Sequence, residues 1–222
     1  MRDLQKILAL IVAWGSIVSL SAQGVTNYGP MKLHGNGAMG FHANFTNNGE
    51  FTNNEGLIGF YSEGTSISIK GSSPIEVYDV EFATIGGIVL ENNVIINNNG
   101  NLIEGDIQTP RDSETPYTIR FNDDTFYTGE SAFSKVDGFA SFQNKEEFIF
   151  PVGDPERLRP LKINSMAINP TGVSAYFSEN PNEPRSLAGT YNTNSTSEFG
   201  LQVSQLEFWH LRADLPSQVT LS

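Results

Sequence analysis

The chain after residue 23 consists largely of short stretches in which apolar and polar residues alternate, and no segment keeps an apolar period of 3.6 residues. Alternation bounded by Gly, Pro, Asn and Asp is typical of half-buried β-strands. The clearest stretches read SISIK, PIEVYDVEF, YTIRF, EFIFPV, LKIN, VSAYF and EFWHL. The pattern therefore predicts an all-β protein.

Two repeats suggest how the first strands are arranged. The phrase FTNN occurs twice within FTNNGEFTNNEG, and GAMGFH returns nineteen residues later as GLIGFY. Three strands of about four residues, joined by tight corners, need about 20 residues, so the offset fits one turn of a β-solenoid. We expect Phe41 to stack on Phe60 in the next turn. Phe45 and Phe51 should lie on adjacent sides of a single turn.

The composition of the strands changes near residue 117, where Asn clusters thin out and Pro becomes frequent. Before it, GGIVLENNVIINNNGNLIEGDI still places Asn and Gly where corners are expected, and both residues tolerate positive φ. We therefore predict a right-handed β-solenoid over residues 23–116 and an antiparallel, β-sandwich-like domain over 117–222. The sequence ends in PSQVTLS, the beginning of a strand, so we expect the sandwich to be truncated and the natural chain to continue.

The N-terminal segment, residues 1–22, predicts a signal peptide. Arg2 and Lys6 precede an apolar run that ends at Leu20, and small residues follow up to Ala22. The run of about 14 residues is short of the ~20 that a spanning helix needs, so no membrane span is expected after cleavage. Cleavage would remove Arg2, Lys6 and Asp3, which together carry a net charge of +1, so the formal charge would change from −12 to −13. Such a charge disfavours nucleic acid as a partner.

Few residues indicate a chemical site. Cysteine is absent, and the three histidines, His34, His42 and His210, lie in unrelated contexts without zinc-ligand spacing. Clustered carboxylates at Asp123, Asp124 and Glu130 suit a calcium loop, but Asn-Asp-Asp between aromatic runs is also ordinary hairpin-turn chemistry. The turn is the favoured interpretation. We predict no catalytic, cofactor-binding or metal-binding residues and no cofactor.

The phrase FIFPVGDPERLRPLKI predicts two strands joined through a turn. Phe148, Phe150 and Val152 alternate towards one side, GDPE forms the turn, and the next strand begins near Leu161. Two arginines in the turn are candidates for a structural role. We expect Arg157 and Arg159 to brace Asp154 or a backbone carbonyl across that turn.

This phrase also carries a resemblance to a family. The order VDGFA, FIFPVGD, RPLKI, AYFSENP, EFWHL and VTLS, preceded by an Asn-rich region with GFH and GFY, resembles secreted adhesin-like or gliding-motility-associated surface proteins of the type IX secretion system. The resemblance covers most of the chain after the signal peptide. It implies further β-domains and a C-terminal sorting domain, which is not seen before Ser222. Without a sorting domain, a periplasmic location is the alternative to the cell surface.

These observations give three functional hypotheses. The first is a non-enzymatic, exported structural or adhesion module of a larger surface protein, with an unknown surface ligand. The second is a carbohydrate-binding module, or an ancillary domain of a secreted polysaccharide-degrading enzyme, because exposed aromatic residues stack on sugar rings. The third, ranked last, is a β-helical lyase. The sequence itself does not identify the ligand or the oligomeric state.

Overall fold

The computed structural model describes residues 24–52, 54–112, 116–165, 170–183, 193, 204–214 and 219–221. The predicted signal peptide lies outside these residues. Within them the chain forms strands and no helix, and therefore no helix long and apolar enough to cross a membrane. The all-β prediction is confirmed. The strands, in chain order, are β1 (Val25–Asn27), β2 (Ala38–Phe41), β3 (Phe45–Asn47), β4 (Leu57–Ser62), β5 (Ile67–Lys70), β6 (Ile75–Thr84), β7 (Ile88–Glu91), β8 (Val94–Glu104), β9 (Ile107–Gln108), β10 (Ile119–Phe121), β11 (Phe126–Thr128), β12 (Val136–Asp137), β13 (Ala140–Gln143), β14 (Glu147–Phe150), β15 (Leu161–Ser165), β16 (Thr171–Phe177), β17 (Phe208–Asp214) and β18 (Val219–Leu221).

A β-solenoid of about five turns forms the first part of the molecule. One side of the coil is a parallel sheet in the order β1-β3-β5-β7-β9-β12, and a second sheet contains β2, β4, β6 and β8, also parallel. The long strands β6 and β8 bend at a register shift near Tyr78 and so contribute to two sides of the coil. The first half of β8 pairs with β10 and the second half with β11, which gives each turn three sides.

Repeated apolar side chains fill the coil. Phe41 stacks on Phe60, with ring centroids 5.3 Å apart, and Phe60 stacks on Phe82 at 5.9 Å. On another side, one isoleucine of each turn lies in register with the next, in the order Ile67, Ile88 and Ile107. Each of these buried side chains contributes about 1.5–3 kcal/mol by leaving water. The predicted Phe41–Phe60 contact is confirmed.

The doubled FTNN spans one corner of a single turn, as predicted. Phe45 lies in β3 and Phe51 on the following side, with their rings 5.7 Å apart in the core. Each copy contains a buried asparagine, Asn47 in the first and Asn54 in the second. Asn47 accepts a hydrogen bond from Asn27 in the preceding turn at 2.8 Å. It donates to the backbone carbonyls of Ser73 and Pro74 at a corner of the following turn. Asn54 likewise accepts from one turn and donates to the next, so both amides tie three turns together.

The predicted sandwich after residue 117 is not confirmed. Parallel pairing continues past that residue, because β10, β12 and β13 stack on the earlier turns and Val152 bridges Val136 in the same direction. Only the later strands are antiparallel: β16 and β17 extend the second sheet beyond β13, and β14, β15 and β18 form a small sheet of their own. Apolar alternation is the same in stacked and antiparallel strands, so it did not distinguish them. The handedness of the coil stays a prediction.

The antiparallel strands β14–β18, called the cap below, share the core of the stacked turns. Phe148 and Phe150 of β14 pair with Ile163 and Leu161 of β15, and all four side chains are buried. Aromatic rings join this layer to the last turn, since Phe142 lies 5.2 Å from Phe148. The two strands predicted from FIFPVGDPERLRPLKI are confirmed. A solenoid end needs such a cover because its last turn has no further turn above it.

Candidate functional site

One outer side of the coil forms a continuous surface, which we call the ladder face. It consists of the outward positions of β2, β4, the second half of β6, the second half of β8, and β11, all in parallel register. Two rows of side chains run across the strands along the stacking direction. One row contains Ala38, Leu57, Asp79, Asn99 and Phe126, and the other contains Gly40, Gly59, Glu81, Asn101 and Thr128.

Close packing at one end of the ladder face explains the glycines of the repeated GxxGF phrase. A Cβ at Gly56 would overlap the carbonyl oxygen of Gly37, so the first glycine of the phrase permits close approach of two turns. A Cβ at Gly59 would overlap the ring of Tyr61, which lies back across the strand over that position. The second glycine therefore makes room for an aromatic side chain on the outer surface.

Tyr61 and His42 form an aromatic platform, in which Tyr61 lies over Gly40 and Gly59 and His42 lies beside Gly40. Their ring centroids are 5.4 Å apart with an interplanar angle of 30°. The Tyr61 hydroxyl donates to Oε2 of Glu81 at 2.8 Å, and burial together with this hydrogen bond raises the pKa of Tyr61 to about 12. The phenol therefore stays protonated. The backbone of β4 holds one end of the ring and the hydrogen bond to Glu81 holds the other, while the neighbouring His42 is exposed.

Polar side chains occupy the middle of the ladder face. Asn98 donates to Oδ1 of Asp79 at 2.6 Å, and Thr128 donates to Oδ1 of Asn101 at 3.2 Å. Asn99 differs from its neighbours, since its Oδ1 is buried and has no hydrogen-bond partner among the residues that the structure describes. This oxygen has almost no surface accessible to solvent, so it is not placed to contact a ligand.

A groove of about 310 Å³ lies at the other end of the face, between β11 and β14. Phe126 and Ile149 line it and are exposed, whereas Tyr127 is half-buried and donates its hydroxyl to the carbonyl of Ile149 at 2.7 Å. Burial raises the pKa of Tyr127, so this hydroxyl also stays a donor. Glu130, Glu147 and Lys145 also line it, and the Lys145 ammonium donates to the backbone carbonyls of Asp123 and Thr125. The groove thus combines an apolar wall with two carboxylates and one ammonium.

A second, smaller cavity of about 150 Å³ is structural in character. Its guanidinium, Arg111, donates to Oδ1 of Asp137 at 2.6 Å, to the carbonyl of Gly153 at 3.0 Å and to the carbonyl of Tyr176 at 3.3 Å. These partners come from the last turn of the solenoid, from the turn after β14, and from β16. Arg111 therefore clamps the cap onto the stacked turns.

The residues considered as metal ligands are not brought together. Within the described ranges, no group of three or more His, Asp or Glu side chains could hold a metal ion. Asp123 and Asp124 lie in a turn, which was the favoured interpretation, but β10 and β11 on either side do not pair with each other. The turn is a corner of the coil and not a hairpin, because both strands pair with β8. Glu130 lines the groove instead.

The arginines of the GDPE turn have separate partners. Arg157 lies 3.6 Å from Oδ2 of Asp154, whose Oδ1 accepts two backbone N–H groups of the same turn, as expected for a structural role. Arg159 instead lies 3.7 Å from Glu207 and over the ring of Tyr176. It braces β16 and β17 and not the turn.

The sequence interpretation did not single out Tyr61, Glu81 or Phe126. A signal for Tyr61 was present, since GFY aligns with GFH and both end in a ring that follows a glycine. Glu81 becomes the partner of Tyr61 only through the parallel register of β4 and β6, in which DVEF of β6 lies beside LIGF of β4.

The scan of family models gives no match to this chain, and searches of curated proteins and of solved structures give none either. Support for a function therefore comes from the residues and their geometry.

Proposed function

We propose that the chain is a non-enzymatic, exported structural or adhesion module that presents the ladder face to a ligand at the cell surface. The observation that carries the proposal is the unbroken parallel register of five strands behind that face. A surface held by stacked turns is stiff, because each turn packs on its neighbours and the outer side chains keep fixed spacings.

The charge and the N-terminal segment support an exported location. The formal charge of −12 disfavours nucleic acids, and residues 1–22 have the composition of a cleaved signal. Expression of residues 1–222 in a Gram-negative host, followed by fractionation and N-terminal sequencing, tests this part. We expect a mature N-terminus next to Ala22 or Gln23; full-length protein retained in the cytoplasm would contradict export.

Adhesion is tested with beads coated with the purified protein. We expect the beads to remain under flow on at least one surface of a panel of polysaccharide films, mucin and glass, at a level well above albumin-coated beads. Beads that detach from every surface as albumin beads do would contradict the adhesive role.

A second candidate function is carbohydrate binding, as an independent module or an ancillary domain of a polysaccharide-degrading enzyme. The specific observation in its favour is the aromatic platform, where the Tyr61 ring is held against the sheet beside Glu81 and His42. A fixed ring offers a stacking surface, and a neighbouring carboxylate accepts hydroxyl hydrogen bonds. A glycan array tests it: saturable binding to a polysaccharide supports the function, and absence of binding across the array counts against it.

A further inference from the structure

We infer that the ladder face binds an uncharged polysaccharide chain that lies along the stacking direction, from the aromatic platform to the groove at Phe126. This inference rests on the second candidate function, carbohydrate binding, and adds the class of saccharide and its path.

The length of the face favours an extended ligand. Five parallel strands separated by about 4.8 Å place β2 and β11 about 19 Å apart. An exposed aromatic side chain marks each end, His42 with Tyr61 on the first two strands and Phe126 on the last. A single sugar would contact only one end, whereas a chain of several sugars reaches both.

The charge of the face favours a neutral chain. The described residues of β2, β4, β8 and β11, and the second half of β6, include Asp79, Glu81 and Glu104 but no Lys or Arg. Lys145 lines the groove at the Phe126 end, where its ammonium is engaged by two backbone carbonyls. These carboxylates repel polyuronates and sulfated polysaccharides. They accept hydrogen bonds from hydroxyl groups, which a neutral saccharide offers along its whole length.

Polar groups between the two ends are placed to meet such hydroxyls. Glu81 keeps acceptor capacity after it accepts the Tyr61 hydroxyl, since an ionised carboxylate has about four lone-pair sites. Asp79, in the same row as Phe126, likewise keeps acceptor capacity beside the hydrogen bond that it accepts from Asn98. The aromatic ends would stack on sugar rings while this row fixes the chain between them.

Affinity electrophoresis and calorimetry of the full chain test the inference. The probes are soluble glucan, xylan and mannan, a disaccharide and a hexasaccharide of whichever polymer binds, and polygalacturonate as the charged comparator. We expect at least one neutral polymer to bind, the hexasaccharide to bind at least about tenfold more tightly than the disaccharide, and polygalacturonate not to compete.

Variants at the two ends locate the path. Tyr61→Ala and Phe126→Ala should each weaken hexasaccharide binding about tenfold, and the double variant should weaken it further. Phe133→Ala is the matched control, because Phe133 is an 82% exposed phenylalanine on a loop outside the face. Tyr61→Phe keeps the ring and should bind nearly as wild type. If Tyr61→Ala fails to fold, Phe126→Ala by itself tests the path.

The outcomes separate the inference from the function beneath it. If a neutral polymer binds but Phe126→Ala and the double variant bind as wild type, or the disaccharide binds as well as the hexasaccharide, the path is wrong while carbohydrate binding stands. Competition by polygalacturonate would overturn the neutral-ligand assignment. If no saccharide binds the folded wild type, carbohydrate binding itself fails.

Discussion

Within the stacked turns like side chains lie on like, whereas the join between the cap and the stack adds a charged clamp to its aromatic contacts. Phe41, Phe60 and Phe82 repeat through three turns, and Asn27 pairs with Asn47. At the join, one arginine binds a carboxylate and two carbonyls. Contacts of the first kind repeat from turn to turn, so each turn supports the next, whereas the clamp depends on a single arginine.

The difference predicts where the molecule is sensitive to apolar and to charged changes. A repeated core fails when one layer is made polar, because the turns on both sides lose their contact. A join built on ion pairs fails when a charge is left without its partner. Four substitutions, taken from the largest expected effect to the smallest, test this contrast.

Phe60→Asp should abolish cooperative unfolding. The substitution places a carboxylate in the fully buried position between the rings of Phe41 and Phe82, at a cost well above about 4 kcal/mol. Thermal unfolding followed by circular dichroism is the measurement. Phe133→Asp, at an exposed phenylalanine, is the control and should melt as wild type. A Phe60→Asp variant that melts like the control would show that Phe60 does not lie in a solenoid core.

Arg111→Met should lower the free energy of unfolding by about 3 kcal/mol. It leaves Asp137, which is only 8% exposed, without its guanidinium, and breaking a buried pair costs about this much. Urea denaturation measures the change. Lys32→Met is the matched control, because its pair with Glu55 is exposed and 3.6 Å long, and no measurable change is expected. Equal stability of the two variants would show that the clamp does not hold the cap.

Much of the stack could be predicted from the sequence because a solenoid repeats its contacts at a nearly constant offset. The alignment of GAMGFH with GLIGFY gave the register of β2 and β4 directly, and with it the Phe41–Phe60 contact. The corner between Phe45 and Phe51 followed from the same alignment.

The end of the stack and the candidate site could not be predicted in the same way. Strand alternation does not show which strand pairs with which, so the sequence predicts a sandwich after residue 117 where parallel stacking in fact continues. Glu81 reaches Tyr61 only because β6 continues the register after a spacing of 22 residues, three more than the first repeat. Arg111 and Tyr176 meet across 65 residues, and no local pattern records such a contact.

Asn47→Ala should lower the free energy of unfolding by about 1–3 kcal/mol. The buried amide accepts from Asn27 and donates to the carbonyls of Ser73 and Pro74. The substitution leaves the Pro74 carbonyl without this donor, whereas the Ser73 carbonyl keeps the amide of Asn92. The neighbouring asparagine provides the control: Asn48 is exposed, so Asn48→Ala should cost less. If both alanine variants have the same midpoint in urea, buried corner amides do not contribute more than exposed ones.

The smallest expected effect is a pH dependence in the cap. Burial, and secondly the charge of Arg212, lower the pKa of His210 below its ordinary value of 6.5. The unfolded chain therefore takes up the proton first, so this group's contribution to stability is present above pH 6.5 and is lost as the pH falls below it. Melting curves of wild type and His210→Gln should converge or cross as the pH falls through that value, with a change in their difference of about 2 °C or less. A difference that stays constant over this range would mean that His210 takes up its proton equally in the folded and unfolded chains.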